Sequence, residues 1–354
     1  MSFFSKIIAF FMSIIAFFSG LFSGGKKPAD SNVTPTNPTA NMFYDYAYGS
    51  DPRQILDLVL PENAADECGL ILFIHGGGWI SGNKDQYRGA LNNAARMGYA
   101  GAAINYRYLS DAVHMEQLMA DVAAALNEIK ELAAGRDIQL NRVLLTGSSA
   151  GAHMSLLYAY HYADAAAITP VAAVSYCGPD DLTSQTFIEQ NQLGDTAAMI
   201  GLLNRLTGVS VSEAEYWNQS GRYGEWISAL KAYSPLYQVT SNSVPTVLGH
   251  GKKDAIVPFD TAAALNTALA EKGVTHDFVI FPNSGHDLDQ DSDAASQIYG
   301  LLVQYARTYL GSCRTGKYEK IESCIMITAA PGSDAAAVFR FSMSIAAFFN
   351  IFLS

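Results

Sequence analysis

The pentapeptide GSSAG at residues 147–151 constrains the fold of this chain more than any other feature. The apolar run before it, residues 142–146, is bounded by turn residues and predicts a buried strand. Residues 150–162 after it have the apolar spacing of a helix. A serine at the centre of such a strand-to-helix turn is held in a strained backbone conformation, for which the two glycines leave room. The pattern therefore predicts that the hydroxyl of Ser149 stands clear of a sheet edge as a nucleophile.

Strands and helices alternate along most of the remaining chain. Apolar or alternating runs predict strands at residues 54–60, 70–74, 100–106, 171–177, 245–249 and 277–281. Helical spacing predicts helices at residues 86–97, 113–132, 261–272 and 294–310. Strands that alternate with helices form a mainly parallel sheet with helices on both faces, so we predict an α/β fold.

Residues 181–240 interrupt this alternation. They separate two predicted core strands and are too long for an ordinary connection. The segment contains many large aromatic side chains, among them Tyr216, Trp217 and Trp226. Two interpretations stay open: a cap-like insertion that covers the strand ends and lines a substrate pocket, or aromatic residues that pack a small core of their own.

The two ends of the chain differ from this core. Residues 3–22 are almost wholly apolar, which favours an export signal or a membrane anchor over a helix lying on a membrane surface. The apolar stretch 335–353 predicts either a short second anchor or a helix that packs on the first. We therefore divide the chain into a signal peptide or anchor (1–22), a linker (23–42), a catalytic domain (43–312) and a tail with an apolar segment (313–354). This organisation predicts a secreted or membrane-anchored protein of the cell envelope.

Charge and cysteine content limit the partners. The net charge of −11 argues against nucleic acid, whose phosphates require basic patches. Cys68 and Cys177 lie in apolar strand-like contexts and are interpreted as buried thiols. Cys313 and Cys324 flank a polar stretch, where a disulfide is consistent with an exported protein. No Cys/His metal cluster stands out in the sequence, and the oligomeric state is not indicated.

A serine nucleophile needs a base and an acid. Of the seven histidines, His286 follows a predicted strand near the end of the domain, which places it at the same sheet edge as Ser149. His153 lies one helical turn past the serine and His250 is interpreted as structural. Asp254, between a strand and a helix, is the predicted acid that fixes the tautomer of His286. Its rivals are Asp180, Asp181, Asp287 and Asp289.

The negative charge that develops during acyl transfer needs fixed N–H donors. The amide of Ala150, directly after the nucleophile, is one candidate. Gly77 and Gly78 in the HGGGW sequence at residues 75–79 offer two more, with no side chain in the way. We interpret His75 as a residue that orders this loop.

Together these motifs resemble the α/β-hydrolase fold. HGGGW at 75–79, Asn-Tyr-Arg at 105–107, GSSAG at 147–151, Asp254 and His286 are similar to the carboxylesterase/lipase group, which includes hormone-sensitive-lipase-like and acetyl-xylan/feruloyl-type esterases. The resemblance covers about residues 44–311. It implies a triad of Ser149, Asp254 and His286, with oxyanion donors from Gly77, Gly78 and Ala150. The segment 181–240 matches no motif of the family, so the resemblance does not carry the substrate class.

The expected function is that of a serine hydrolase. It would cleave carboxylic esters of short acyl chains, with small-molecule or carbohydrate esters such as acetylated sugars as substrates, and would need no metal or organic cofactor. Three alternatives remain: an amide or formamide hydrolase similar to arylformamidases, a lipase that works at a membrane, and a non-catalytic binding module on the same fold.

Overall fold

The computed structural model describes residues 41–62, 64, 66–189 and 195–311. One sheet in this part of the chain contains eight strands in the order β1-β2-β4-β3-β5-β6-β7-β8. Strands β1, β2 and β4 pair antiparallel, and all the other pairs are parallel. The strands are β1 (Met42–Ala47), β2 (Ile55–Val59), β3 (Glu67–Ile74), β4 (Ala100–Ile104), β5 (Gln139–Ser148), β6 (Thr169–Tyr176), β7 (Thr246–Gly251) and β8 (His276–Phe281).

Helices connect the parallel strands. They are α1 (Arg88–Arg96), α2 (Met115–Ala134), α3 (Ala150–His161), α4 (Gln185–Glu189), α5 (Thr196–Thr207), α6 (Glu213–Asn218), α7 (Tyr223–Ala232), α8 (Pro235–Gln238), α9 (Phe259–Glu271) and α10 (Ser292–Tyr305). Every residue of β4 is buried, so the sheet is covered on both faces at its centre. The predicted α/β fold with a mainly parallel sheet is confirmed.

The order of the strands determines where a site can form. β3 pairs with β4 on one side and with β5 on the other, so the chain reverses its direction of winding at β3. Ligands of open α/β sheets bind at such a switch point, beyond the carboxyl ends of the strands. Ile74, at the end of β3, lies opposite Gly147 in β5. The HGGGW and GSSAG segments therefore leave the sheet side by side.

The insertion between β6 and β7 folds into helices α4 to α8 within the described residues. The Trp226 side chain is fully buried, and its ring meets Tyr216 edge-on at 6.0 Å, so aromatic residues of the insertion pack against one another. Trp217 and Tyr237 are exceptions, because 53% and 44% of them are exposed. The cap-like role of the insertion stays a prediction. The carbonyl of Arg205 in α5 lies 2.7 Å from Nδ1 of His114, so α5 is attached to the loop before α2.

β1 is the strand that the sequence pattern misses. It is an edge strand whose last four residues are exposed, so its sequence MFYDYA carries no clear alternation between a buried and an exposed face. The predicted helix at residues 86–97 begins instead as a 3₁₀ turn, Lys84–Tyr87, before α1. The other predicted elements are present with boundaries shifted by a few residues.

A buried lysine ties the edge of the sheet to the loop after β3. The Lys84 side chain is fully buried, and its Nζ lies 2.6 Å from carboxylate oxygens of both Asp45 and Asp57. Asp85 adds a third oxygen at 3.2 Å. The side chain of Asp57 is also fully buried, so removal of the lysine would leave a buried charge without its closest partner.

Several sequence predictions concern the ends and the cysteines. Cys68 and Cys177 are buried, as predicted. The segments 3–22 and 335–353, together with Cys313 and Cys324, lie outside the described residues. Among the helices that are described, none is both long enough and apolar enough to traverse a bilayer.

Replacement of the buried lysine tests the importance of this ion cluster. We expect Lys84→Met to lower the free energy of unfolding by about 3–5 kcal/mol, because a buried carboxylate loses its partner. Lys272→Met, at an exposed position after α9, should change it by less than about 0.5 kcal/mol. Urea denaturation followed by circular dichroism measures both, and equal stability of the two variants would contradict the assignment.

Candidate active site

Ser149 occupies the sharp turn between β5 and α3. Its backbone has φ of 55° and ψ of −123°, a region that residues with a side chain rarely adopt. The residue is half-buried and lies directly before the N-terminus of α3. The strained turn predicted from GSSAG is thus present.

The glycines on either side of the nucleophile turn have no room for a side chain. A Cβ atom on Gly151 would lie 2.0 Å from the carbonyl oxygen of Ile74, and one on Gly147 would lie 2.4 Å from the same atom. A Cβ on Gly76 would lie 3.3 Å from Cβ of Ser149. The turn around the nucleophile therefore packs directly on the end of β3.

Three backbone amides near this turn are available as donors. Gly77 and Gly78 have positive φ angles of 115° and 57°, and the carbonyl of Gly77 accepts the amide of Ser81 at 3.0 Å to close a tight loop. Among the residues that the structure describes, none accepts a hydrogen bond from the amide of Gly77, Gly78 or Ala150. These are the three donors that the sequence predicted.

His75 supports this loop and is not placed to act as a base. Its Nδ1 lies 2.7 Å from the carbonyl of Gly76, and its Nε2 lies 3.2 Å from Nη2 of Arg53. A carbonyl only accepts hydrogen bonds and a guanidinium only donates them. The proton of the His75 ring is therefore on Nδ1, and Nε2 accepts from Arg53. Burial lowers the pKa of His75 to about 3, the nearby Arg53 adding to the effect, so the ring is neutral.

Sequence reasoning missed Arg53, which no motif marks. Its guanidinium lies 3.8 Å from the ring centre of Tyr108 and donates to the carbonyl of Tyr106 at 3.0 Å. The hydroxyl of Tyr106 in turn donates to the carbonyl of His75 at 2.9 Å. The loop that carries the glycine amides is therefore held from behind by residues after β4 and before β2.

Asp254 and His286 form a direct pair. Nδ1 of His286 lies 2.7 Å from Oδ2 of Asp254, and the other carboxylate oxygen accepts the amides of Ile256 and Val257, each at 2.9 Å. A carboxylate only accepts, so Nδ1 carries the proton and Nε2 is left with a free lone pair. The structure brings the predicted acid and base together.

The pair shifts the pKa of both members. Burial alone would lower the pKa of His286, but the charge and hydrogen bond of Asp254 outweigh it and hold that pKa above its usual value. Burial alone would raise the pKa of Asp254, but His286 and a second imidazole, His250, hold it well below its usual value. Asp254 is therefore ionised at neutral pH.

Hydrogen bonds between strand ends connect Ser149 to this region. The Ser149 amide donates to the carbonyl of Tyr176 at 2.8 Å, and the Cys177 amide donates to the carbonyl of Gly249 at 2.9 Å. In the described part of the chain, the hydroxyl of Ser149 makes no hydrogen bond to His286. In enzymes without substrate such bonds are often long, and they shorten when the substrate binds.

The other histidines have separate partners. Nε2 of His153 lies 2.7 Å from the carbonyl of Tyr233, and its ring meets Trp79 edge-on at 5.2 Å. Burial lowers the pKa of His153 to about 4, so it stays neutral. His153 thus connects the insertion to the glycine loop.

One described group has ligand atoms close enough together for a metal ion. The ligand atoms of Cys177, His250 and Asp254 all lie within 4.8 Å of one another, and all three residues are buried. Burial and the charge of Asp254 raise the pKa of the Cys177 thiol well above its usual value, which opposes the thiolate that a metal prefers. We assign this group to hydrogen bonding around Asp254.

Asp180, a rival acid in the sequence, is a buried carboxyl without a partner. It is 1% exposed, and neither of its oxygens has a hydrogen-bond partner within the described residues. Burial raises its pKa to about 7, with a partial opposing effect from His250. It makes no hydrogen bond to His286 and is not the partner of the base.

The buried Asp180 makes stability depend on pH. Its pKa rises from 3.8 in the unfolded chain to about 7 in the folded one, so the folded state loses stability as the pH rises through this window. Asn does not titrate. We therefore expect the free energy of unfolding of Asp180→Asn, relative to that of the wild type, to be up to about 4 kcal/mol higher at pH 8 than at pH 4. Urea denaturation at both values measures this, with Asp164→Asn, an exposed carboxylate, as the control. Parallel pH curves for the wild type and Asp180→Asn would contradict it.

Known proteins are similar to this chain in sequence and in architecture. Residues 56–269 match the BD-FAE family, a range that includes Ser149 and Asp254 and ends before His286. Esterase LipQ of Mycobacterium tuberculosis is 27% identical over 272 residues, which are 73% of this chain and 60% of that protein. The chain therefore spans less than two thirds of this curated relative.

Two solved structures have the same arrangement of strands and helices. Esterase B of Lactobacillus rhamnosis, in an inhibited form, has a TM-score of 0.64 and 20% identity, covering 86% of this chain and 96% of its own. A truncated carbohydrate esterase from gut microbiota has a TM-score of 0.59 and 20% identity, covering 75% of this chain and 96% of its own. This likeness shows the fold, and the match over residues 56–269 shows the family: the chain has the α/β-hydrolase fold and belongs to the BD-FAE family.

Proposed function

We propose that this protein hydrolyses carboxylic esters through an acyl-enzyme on Ser149. The observation that carries the proposal is the half-buried serine on its strained turn, at the sheet edge that also carries an aspartate–histidine pair and three amides without an acceptor among the described residues. Esterase names among the relatives, such as LipQ, support the same chemistry.

His286 transfers protons in both halves of the proposed reaction, and Ser149 carries the acyl group between them. Nε2 of His286 takes the proton of the Ser149 hydroxyl as Oγ bonds to the acyl carbon. The same proton then passes to the leaving alcohol as the ester bond breaks. In the second half, His286 takes a proton from water, the hydroxide bonds to the acyl carbon, and Ser149 leaves with the proton. Each half restores the neutral imidazole.

Two electrostatic interactions would lower the activation barriers of the two half-reactions. The amides of Gly77, Gly78 and Ala150 donate to the oxyanion of the tetrahedral intermediate, and loss of one such donor typically costs 10²–10³ in kcat. Asp254, already ionised and fixed by backbone amides, stabilises the imidazolium that forms in each half-reaction. Both arrangements are built before substrate binds.

Short acyl groups, including acetyl esters of carbohydrates, are the substrates that we propose. The resemblance to acetyl-xylan and feruloyl-type esterases and the carbohydrate esterase among the structural neighbours support this choice. The insertion between β6 and β7, attached to α3 through His153, is the element that we propose covers the bound alcohol.

A substrate panel with an active-site variant tests the ester proposal. We expect p-nitrophenyl acetate and butyrate to be cleaved faster than the octanoate and palmitate, and Ser149→Ala to lower kcat by at least about 10⁴-fold. A serine-directed fluorophosphonate probe should label the wild type and not Ser149→Ala.

Other results on the same panel would favour the alternatives. Faster turnover of N-formylkynurenine than of any ester would favour a formamidase. A sharp rise in activity on emulsified long-chain esters would favour a lipase. Failure of the probe to label intact wild type would favour a non-catalytic binding module.

The pH profile tests the roles of His286 and Asp254. The base must be neutral, so kcat/KM should fall as the pH drops through the pKa of His286, with a midpoint above the ordinary 6.5. Asp254→Asn removes the charge that raises this pKa, so the midpoint should move to lower pH while kcat falls by about 10⁴-fold. Stopped assays from pH 4 to 9 measure both, and an unmoved midpoint in Asp254→Asn would contradict the pairing.

We also propose that residues 3–22 export the protein or anchor it to a membrane. Their length and apolar composition support this. Fractionation of cells that express the full chain or a version starting at Met42 tests it. Equal distribution of both versions among the cytosolic, exported and membrane fractions would overturn the proposal.

A further inference from the structure

A second histidine contacts the carboxylate of Asp254. His250, at the end of β7, is 1% exposed, and its Nε2 lies 2.9 Å from the carbonyl of Val257 and 3.3 Å from Oδ2 of Asp254. A carbonyl only accepts, so Nε2 must carry a proton. This N–H bonds to the carbonyl of Val257 and lies in ion-pair contact with the carboxylate.

The contact of His250 with Asp254 closes a ring of contacts around the turn that carries the acid. The amide of Val257 donates to Oδ1 of Asp254 at 2.9 Å, while its carbonyl accepts from His250. The Asp254 amide itself bonds to the carbonyl of Gly251 at 3.2 Å. Residues 250–257 are thus held together by these contacts, and His250 is the only side chain of this segment, within the described structure, that lies within ion-pair distance of the carboxylate.

Oδ2 is the oxygen that matters for the base. It receives Nδ1 of His286 at 2.7 Å and Nε2 of His250 at 3.3 Å, while Oδ1 is occupied by two backbone amides. Backbone amides on Oδ1 alone would leave the carboxylate able to tilt about that oxygen. A second donor on Oδ2 restricts this tilt, and small displacements of a reacting group cost large factors in rate.

We propose that His250 is a positioning residue, whose Nε2–H holds Oδ2 of Asp254 in place for the imidazole of His286. The inference deepens the proposed function and rests on it, because it assigns His250 to the carboxylate of the triad. His250 does not touch substrate. It acts through Asp254 and then through His286.

Several ionisable groups surround this carboxylate and contribute to any pH profile. Asp180 and Cys177 follow β6; burial raises the pKa of Asp180, and the neighbouring His250 opposes this shift. His286 and Asp287 follow β8, and one oxygen of Asp287 is buried with no partner within the described residues. The test must therefore separate the effect of His250 from a general change in this cluster.

Two substitutions of His250 do so. His250→Phe keeps a ring in the buried site and removes the N–H, and we expect kcat to fall about 10- to 100-fold with KM unchanged within about twofold. The acid midpoint of kcat/KM should move to lower pH, because a displaced carboxylate stabilises the imidazolium less. His250→Gln restores an N–H near the position of Nε2 and should recover most of kcat and the wild-type midpoint.

His276→Phe is the matched control. His276 is also a strand histidine bonded to a backbone carbonyl, with Nδ1 at 2.8 Å from Val274, but it has no contact with Asp254. Its replacement should leave kcat and the midpoint unchanged. A His250→Phe variant that keeps kcat within twofold, or that loses kcat with an unmoved midpoint and no recovery in His250→Gln, would overturn the proposal.

A measurement without turnover separates this proposal from the proposed function. The Nδ1 proton of His286 should give a downfield proton resonance in the wild type, because its bond to Asp254 is short and charge-assisted. Its absence in His286→Gln identifies the signal. We expect it to move upfield or to broaden in His250→Phe and to return in His250→Gln, and an unchanged signal in His250→Phe would overturn the positioning role. If Ser149→Ala hydrolyses esters as the wild type does, the proposed function fails while this measurement still decides the role of His250.

Discussion

The close approach of two strand ends is the constraint on which the rest of the site depends. The carbonyl of Ile74 lies so near Gly147 and Gly151 that neither position has room for a side chain. This approach places the end of β3 against the nucleophile turn, and with it the amides of the glycine loop. A residue larger than glycine would push β3 and β5 apart and so separate the serine from its donors.

The part of the site that contains Asp254 and His286 is held together by hydrogen bonds. Asp254 is buried, so its charge is stable only because donors surround it: two backbone amides on one oxygen and two imidazoles on the other. The same bonds that make burial tolerable also fix the direction of the carboxylate. Solvation of the buried charge and orientation of the base are thus achieved by one set of contacts.

Local patterns predicted most of the elements and the residues of the site. The strand, turn and helix around Ser149 follow from neighbouring residues alone, and positions directly after predicted strands indicated Asp254 and His286, in an order that agrees with the motif. Strand β1 was not predicted, because an exposed edge strand has no buried face that would require an alternating sequence. The ion cluster around Lys84 was not predicted, because it joins residues that are distant in sequence.

The choice between Asp254 and Asp180 illustrates the same limit. Both follow a strand, and the sequence alone does not say which carboxyl meets the imidazole. In the structure Asp254 bonds to His286, whereas both oxygens of Asp180 lack partners among the described residues. The direction of a loop side chain is decided by tertiary contacts, which leave no local signature.

The contact of His153 with Tyr233 has a consequence for protein engineering. The imidazole belongs to the helix that begins at the nucleophile and touches Trp79 of the glycine loop, yet it is held by a carbonyl of the insertion. Grafting a foreign insertion to change substrate preference would remove that acceptor and leave a buried N–H unsatisfied beside the catalytic centre. A successful chimera must therefore keep a backbone acceptor at this junction, whatever sequence replaces the remainder of the insertion.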